Sequence, residues 1–532
     1  MRSFPHLRTG LMAGTTLALL ASLLAAACSY PLTSESEKAA PKSATPEKAA
    51  APATAGRSWP MFGGTVQRNL ANTVEKGIPT SFSIQKGKEK NIKWSAPLGS
   101  NAYGGPVIAG GKIFVGTNNE KPRDPKIKGD KGILMCFRES DGAFLWQAVH
   151  DKLSNAGIDA GQQGIASAPV VEGNRLYYVS NRCELVCADT EGDPATGRAK
   201  IVWMLDMIKE LKVYPGGMSG GLANCSPLIV EDLVFVCTSN GVDEMGQVVS
   251  PQAPSFIAVN KNTGKLVWKD SSPGDKIMNG QWANPAAAEV NGVWQVLFPG
   301  GDGWLYAFEA KTGKLLWKFD CNPKGTVFKP AGRGTKSYII ATPVVYDNKA
   351  YIAVGDEPDN CHGVGHLWCI DITKKPTNKD LDLSPVDNNF DPAAPVNKDS
   401  GLVWHYGGPV VPKPTDGGRE YIFGRTMSTV AVHDGLVYAA EYIGILHCLD
   451  AKTGKKYWEF DCTDNTWCSP LYVDGKVLLG TESGDLYIFT AGKELKKPEK
   501  IDLEQGLKVP PVAVNGVLYV NNGIMLYAFA AK

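Results

Sequence analysis

Several kinds of site are missing from this 532-residue sequence, and each absence narrows its function. The seven histidines are mostly dispersed, and no order of serine, histidine and aspartate indicates a catalytic triad. There is no Cys-x-x-Cys-His haem attachment motif and no glycine-rich loop that would cradle a phosphate. The net charge is +1, which argues against a nucleic-acid-binding protein held by a strong basic field.

One short phrase, by contrast, returns along the chain. It reads AVNKNTGKLVW at residues 258–268 and returns at 307–317 and 448–458, with a looser copy at 136–146. In each copy a small residue lies ten positions before a tryptophan, with a Thr-Gly or Asp-Gly turn between them. A repeat of roughly 40–60 residues with a strand pattern predicts a radial array of four-stranded blades, a β-propeller. We expect each tryptophan to wedge between neighbouring blades, with its indole N–H bonded to a partner.

A second phrase opens each repeat: a small residue, usually proline, then an apolar strand, a turn and another strand. The eight copies begin near Pro106, Pro169, Pro227, Pro285, Pro343, Ser428, Pro470 and Pro511. The outer-strand tryptophans are Trp94, Trp146, Trp203, Trp268, Trp317, Trp404 and Trp458. The last repeat ends after its third strand, and the Trp94 strand has no strands before it. We therefore predict an all-β, eight-bladed propeller whose N-terminal strand closes the last blade, with seven blades as the alternative.

The first residues resemble a bacterial lipoprotein signal. Arg2 and Arg8 precede an apolar run over 11–27 that ends in Leu-Ala-Ala-Ala-Cys28. We expect residues 1–28 to be this signal and Cys28 to be acylated; an ordinary cleaved signal peptide and a signal anchor are the alternatives. Residues 29–57 are rich in Ala, Pro, Ser, Lys and Glu, which predicts a disordered tether before the propeller of residues 58–532. By resemblance to enteric lipoprotein sorting, Ser29 after the cysteine favours the outer membrane, on the periplasmic side.

The Ala-x-Asp-x-x-Thr-Gly-Lys-x-x-Trp phrase is similar to the repeat of the PQQ-like β-propellers (PQQ, pyrroloquinoline quinone). That family contains PQQ dehydrogenases and non-catalytic relatives, chiefly BamB-type outer-membrane lipoproteins. The dehydrogenases typically carry two adjacent cysteines against the cofactor, and a Ca²⁺ held by Glu, Asn and Asp. This chain has no adjacent cysteine pair.

The resemblance therefore implies a lipid-anchored, non-catalytic interaction protein at the cell envelope, with an envelope protein as its partner, no cofactor and no nucleic acid. A PQQ- and calcium-dependent oxidoreductase is one alternative. A module that binds or senses a small ligand is another.

A binding site is expected where the inner strands begin, because the loops leading into them and the loops between second and third strands share one face, the mouth face. The candidates at the channel mouth are Tyr103, Gln163, Asn224, Trp282, Asn284, Tyr338, Arg425, Trp467 and Lys508. Aromatic rings, amides and two cations suit a planar or anionic ligand. Arg425 and Lys508 favour an anion in particular.

Eleven cysteines follow Cys28. Four occupy the small-residue position of the repeat, where we expect buried, inert thiols: Cys136, Cys187, Cys369 and Cys448. The candidate disulfide pairs are Cys225 with Cys237 and Cys462 with Cys468. The run from Cys361 and His362 to His366 and Cys369 resembles a metal loop, but Cys369 should point into its blade, so we expect no metal there.

Overall fold

The computed structural model describes residues 57–330, 333–355, 363–385 and 397–531. The first strands are β1 (Ala71–Asn72) and β2 (Ile92–Pro97). Blade 1 contains β3 (Val107–Ala109), β4 (Lys112–Asn118), β5 (Lys131–Arg138) and β6 (Phe144–Asp151). Blade 2 contains β7 (Val170–Glu172), β8 (Arg175–Val179), β9 (Glu184–Asp193) and β10 (Arg198–Asp206), and the short helix α1 (Met207–Leu211) follows it.

The middle blades repeat the same order of four antiparallel strands. Blade 3 contains β11 (Leu228–Val230), β12 (Leu233–Cys237), β13 (Phe256–Asn260) and β14 (Leu266–Asp270), and a 3₁₀ turn follows at Gly274–Lys276. Blade 4 contains β15 (Ala286–Val290), β16 (Val293–Pro299), β17 (Trp304–Glu309) and β18 (Leu315–Asp320). Blade 5 contains β19 (Val344–Tyr346), β20 (Lys349–Val354), β21 (His366–Asp371) and β22 (Leu402–Pro409), extended by β23 (Tyr421–Phe423).

The last blades bring the two ends of the chain together. Blade 6 contains β24 (Ala431–His433), β25 (Leu436–Ala440), β26 (Ile445–Asp450) and β27 (Lys456–Asp461). Blade 7 contains β28 (Leu471–Val473), β29 (Lys476–Gly480), β30 (Asp485–Thr490) and β31 (Glu499–Asp502), with β1 added parallel to β28. Blade 8 contains β32 (Val512–Val514), β33 (Val517–Asn521) and β34 (Met525–Ala530). The N-terminal β2 pairs antiparallel with β34 as its fourth strand, as the sequence predicts.

Within the described residues the strands form seven sheets, because a parallel pairing of Arg198 with Gln147 joins blades 1 and 2. The hydrophobic core lies inside and between the blades, where the alternating strand residues are buried. The described part of the insertion after β21 runs along the outer edge of blade 4, where Asp382 pairs with Lys318. No helix in the described ranges has the length and apolar character needed to cross a bilayer.

The repeated phrase has a direct geometric meaning. Its small residue is the cross-strand partner of its tryptophan, as in Ala258 with Trp268 and Cys448 with Trp458. A small side chain at that point leaves room for the indole on the same face of the blade. The same position explains the buried, free cysteines at 136, 187, 369 and 448.

Each indole N–H reaches a neighbouring carbonyl or amide oxygen. Six of the seven donate to a carbonyl of the next blade, five of them in the turn between its third and fourth strands and one, Thr190, in the third strand β9. These are Trp94 to Glu139, Trp146 to Thr190, Trp203 to Lys261, Trp268 to Ala310, Trp404 to Ala451 and Trp458 to Gly492, at 2.8–3.0 Å. Trp317 instead donates to Gln295 Oε1 at 2.8 Å, because an insertion replaces that turn in blade 5. Six tryptophans thus link consecutive blades by one directed hydrogen bond each, whereas the bond of Trp317 stays within blade 4.

The sequence did not predict the path of residues 57–78, which we call the N-terminal strap. The strap crosses the channel and forms hydrogen bonds with every blade, either to its inner strand or to the residues just before that strand. Its backbone and amide contacts are Trp59 with Ile108, Pro60 with Val171, Val66 with Ala287, Gln67 with Val345, Asn69 with Val432, Leu70 with Tyr472 and Asn72 with Ala513. Arg68 supplies the contact to blade 3 through the carbonyls of Ser226 and Pro227, at 2.9 and 2.8 Å.

Candidate binding site in the central channel

Two rings of residues line a central cavity of about 260 Å³. They lie two and four positions before the first residue of each inner strand, so both rings point into the channel. The ring two positions before is Gly105, Ala168, Ser226, Asn284, Thr342, Thr429, Ser469 and Pro510. The ring four positions before is Tyr103, Ala166, Asn224, Trp282, Ile340, Met427, Trp467 and Lys508. Phe62 of the strap also lines the cavity, from its side of the channel.

The first ring is tied together by hydrogen bonds that run from blade to blade. Ser226 Oγ accepts the Ala168 N–H at 3.0 Å, and Asn284 Oδ1 accepts the Ser226 N–H at 2.6 Å. We call this series of hydrogen bonds the belt. It continues from Asn284 Nδ2 to Thr342 Oγ1, then from the Thr342 N–H to Thr429 Oγ1 and from the Thr429 N–H to Ser469 Oγ. Side chains that serve the belt are held in place before any ligand arrives.

The most polar corner of the cavity lies where blades 7, 8 and 1 meet. Lys508 Nζ lies 3.1 Å from Tyr103 OH and 3.4 Å from Asn101 Oδ1. The same ammonium lies 4.3 Å from the centre of the Tyr103 ring and 5.7 Å from that of Trp467. Within the described residues no carboxylate comes within 4.0 Å of Lys508 Nζ. A cation held by aromatic rings without an acidic partner favours an anionic group here.

Seven of the nine residues predicted for the mouth line this cavity. Tyr103, Gln163, Asn224, Trp282, Asn284, Trp467 and Lys508 all line the cavity. Tyr338 does not; it is buried behind Trp282, with ring centres 6.5 Å apart, and its hydroxyl accepts from Asn279 at 2.9 Å. Arg425 also lies outside the lining and packs under Gly363.

Both predicted residues lie two positions too early in the approach to the inner strand, and blade 6 shows a structural reason for its offset. Blade 6 has no proline before its inner strand, and Val430, not Ser428, takes the equivalent position before Ala431. A count from Ser428 therefore leads to Arg425, which lies two residues before the lining residue Met427. The same two-residue offset separates Tyr338 from Ile340. A match of the whole eightfold pattern would have identified both lining residues.

The donor set of the cavity does not fit the calcium ion that the dehydrogenase resemblance would require. Ca²⁺ takes several oxygen ligands, including carboxylates. The described residues that line the cavity include amides, hydroxyls and one ammonium but no aspartate or glutamate. No cluster of three His, Cys, Asp or Glu side chains suited to a metal occurs in the described part of the chain.

The predicted metal loop is only partly described, because Cys361 and His362 lie outside the described residues, as do Cys28 and the rest of 1–56. His366 Nδ1 lies 3.2 Å from His405 Nε2, and burial lowers the pKa of His366 to about 3. Cys369 is buried in blade 5, opposite Trp404. All ten described cysteines are free, including the two candidate disulfide pairs.

Comparison with known proteins places this geometry in a family. A family model described as outer membrane protein assembly factor BamB matches residues 255–373 and 395–496. The structure of BamB from Moraxella catarrhalis covers 82% of this chain and 96% of its own, with a TM-score of 0.50 and 14% identity. A europium-containing methanol dehydrogenase covers 90% and 98%, with a TM-score of 0.58 and 15% identity. The chain has the fold of the PQQ-like repeat β-propellers.

Curated relatives of this PQQ-like propeller match over shorter stretches. Quinoprotein alcohol dehydrogenase PedE of Pseudomonas putida is 36% identical over 102 residues, which is 18% of this chain and 12% of that protein. Tetrathionate hydrolase of Acidithiobacillus ferrooxidans is 24% identical over 171 residues, 32% of this chain and 27% of that protein. The match spans less than a third of either relative's length. The fold is therefore shared by proteins of different activity.

Proposed function

We propose that this PQQ-like propeller is an exported, lipid-anchored, non-catalytic interaction protein of the cell envelope. One observation carries the proposal: the described lining of the central cavity offers aromatic, amide and ammonium groups but no carboxylate. Such a cavity can hold a ligand, yet it lacks the calcium ligands and the carboxylate base of a quinone-dependent dehydrogenase. Similarity to BamB over most of the chain supports a role in binding proteins.

The direct test is titration of the purified propeller with PQQ and Ca²⁺ by calorimetry, followed by dye reduction with alcohols and sugars on the same sample. We expect neither saturable binding nor turnover. Saturable binding with turnover would replace this proposal with an oxidoreductase. That second candidate is supported by the similarity to PedE and to the methanol dehydrogenase.

The lipid anchor has its own test. We propose that Cys28 is acylated and holds the protein on the periplasmic side of a membrane, probed by fractionating cells that express the wild type or Cys28→Ser. The wild type should sediment with membranes and Cys28→Ser should be released. Equal retention of both would indicate a signal anchor, and release of both would indicate an ordinary signal peptide.

A third candidate, a module for a small anionic ligand, is favoured by the corner of Lys508, Tyr103 and Trp467. A ligand that binds only the folded state increases the free energy of unfolding by RT ln(1 + [L]/Kd), and the melting temperature rises as a result. Aromatic carboxylates are the compounds to screen, with Lys508→Met as the test variant and the exposed Lys500→Met as its control. A stabilisation that Lys508→Met abolishes and Lys500→Met preserves would establish the site. No stabilisation of the wild type would remove it.

A further inference from the structure

The loop between β18 and β19 differs in charge from the other long loops that lead into inner strands. Residues 319–340 carry four cations and one aspartate, a net charge of +3, whereas loops 204–224, 269–283 and 405–424 are each neutral. The four cations are Lys324, Lys329, Arg333 and Lys336. In a chain of net charge +1, this loop is a local concentration of positive charge.

The loop packs its cations around a tryptophan of blade 4. The centre of the Trp304 ring lies 4.9 Å from Lys318 Nζ, 5.4 Å from Lys336 Nζ and 5.8 Å from Lys324 Nζ. Asp320 Oδ2 pairs with Lys336 at 3.1 Å. The face of the ring attracts these ammonium groups, and Lys336 also interacts electrostatically with the buried Asp302.

An apolar edge adjoins these charges. Val327 is 52% exposed, and the neighbouring Phe328 ring lies 5.4 Å from Lys276 Nζ. The backbone of Val327 is held in place, because its carbonyl accepts the N–H groups of Thr335 and Lys336 at 3.0 and 3.2 Å. We call the set of Lys276, Trp304, Lys318, Lys324, Val327, Phe328, Lys329, Arg333 and Lys336 the lysine–tryptophan patch.

The start of the described chain lies on the face of the propeller opposite the mouth face. The Arg57 N–H donates to Asn515 Oδ1 at 2.9 Å, and the Gly77 N–H donates to Asp474 Oδ2 at 3.0 Å. Asn515 and Asp474 belong to turns between first and second strands, which lie opposite the mouth face. The described chain therefore begins on the face opposite the lysine–tryptophan patch.

We propose that the lysine–tryptophan patch docks an acidic segment of a partner protein, whose apolar side chain packs against Val327 and Phe328. Charge complementarity selects the acidic segment, and the exposed valine beside an aromatic ring selects a protein chain rather than a purely ionic polymer. The proposal rests on the proposed function as an interaction protein and names the chemistry of its partner.

The probe is a fluorescent twelve-residue peptide of Asp and Glu around one Phe, measured by anisotropy with the full chain carrying Cys28→Ser. The comparison peptide replaces the Phe with Ser. The test variant reverses three exposed charges of the patch, Lys324→Glu, Lys329→Glu and Arg333→Glu. The control reverses three exposed lysines of the blade 1 mouth loop, Lys121→Glu, Lys126→Glu and Lys128→Glu. Both variants change the net charge by the same amount.

We expect the patch variant to weaken binding by about tenfold or more and the control by less than about twofold, since attraction over one Debye length is local. Val327→Ser should weaken the Phe peptide but leave the Ser peptide unchanged. Equal loss in both triple variants would overturn the proposal, as would the absence of peptide binding. Patch-dependent flotation with phosphatidylglycerol vesicles, without peptide binding, would assign the patch to lipid instead. Turnover with PQQ would refute the proposed function and leave the peptide result to stand on its own.

Discussion

Arg68 offers the sharpest test of how the propeller is held together. Its side chain is fully buried and meets carbonyl groups only: Nε donates to Pro285, NH1 to Phe62, and NH2 to Ser226 and Pro227, at 2.8–2.9 Å. Burial lowers the pKa of Arg68 to about 10, so the guanidinium is charged at neutral pH. One side chain thus joins the strap to the approaches of blades 3 and 4.

Arg68→Met keeps much of the volume and removes every donor. Each buried carbonyl left without a donor costs about 1–3 kcal/mol, and part of this is offset because a charge no longer has to be buried. With four carbonyls affected, we expect a loss of about 4 kcal/mol or more in the free energy of unfolding. Arg68→Lys should recover only a minor part, because one ammonium cannot reach carbonyls on several sides.

The assay is urea unfolding at pH 7, followed by tryptophan fluorescence. The matched control is Arg57→Met on the same strap, since the Arg57 side chain is 57% exposed and its pairing with Glu75 spans 3.3 Å. We expect that control to cost less than about 1 kcal/mol. If Arg68→Met lowers the free energy of unfolding by less than about 1 kcal/mol, the inference that the strap stabilises the closed propeller is refuted.

Three further predictions concern turns, a buried acid and the thiols. Gly454→Ala and Gly475→Ala both place alanine at positive φ, 71° and 69°, but only at Gly454 would the new Cβ meet the Trp404 ring, at 2.7 Å. Gly454→Ala should therefore lower the free energy of thermal unfolding by about 1–3 kcal/mol more than Gly475→Ala does, and equal losses would contradict the packing argument. Burial raises the pKa of Asp302 from 3.8 to about 6, so its stabilising contribution is complete below pH 4 and is lost as pH rises through 6. Asp302→Asn should remove that pH dependence, and its free energy of unfolding at pH 8 should exceed that of the wild type by up to about 3 kcal/mol. Melting temperatures that change equally with pH in both proteins from pH 4 to 8 would disprove this prediction. The ten described cysteines are buried and free, so native alkylation with peptide mapping should leave all ten unlabelled until denaturant is added.

The repeat phrase allowed the blades to be predicted because its spacing reflects a contact. A tryptophan ten residues after a small residue predicts a cross-strand pair, and the structure has that pair at Ala258 and Trp268. The unpaired Trp94 strand likewise predicted closure of the last blade, which β2 and β34 make. The first feature is local in sequence, and the second follows because one strand remained outside the repeats.

The strap could not be predicted in this way, and two of the lining residues were missed. The strap uses backbone carbonyls and one arginine, and neither has a repeating pattern that sequence inspection could detect. Ile340 and Met427 are ordinary apolar residues whose place in the cavity depends on register. Phe62 reaches the cavity only because the strap crosses the channel.

The way the ends of the chain meet has a consequence for folding kinetics. Blade 8 needs β2 from the start of the propeller and β32–β34 from its last residues, and the strap bonds inner strands from blade 1 through blade 8. Contacts of such large sequence separation form slowly, because loop closure must precede them. A chain that emerges N-terminus first can assemble individual blades, but it cannot close the ring until the last strand is available. Ring closure should then be the slowest step of folding, and chains cut short before Met525 should remain open and prone to aggregation.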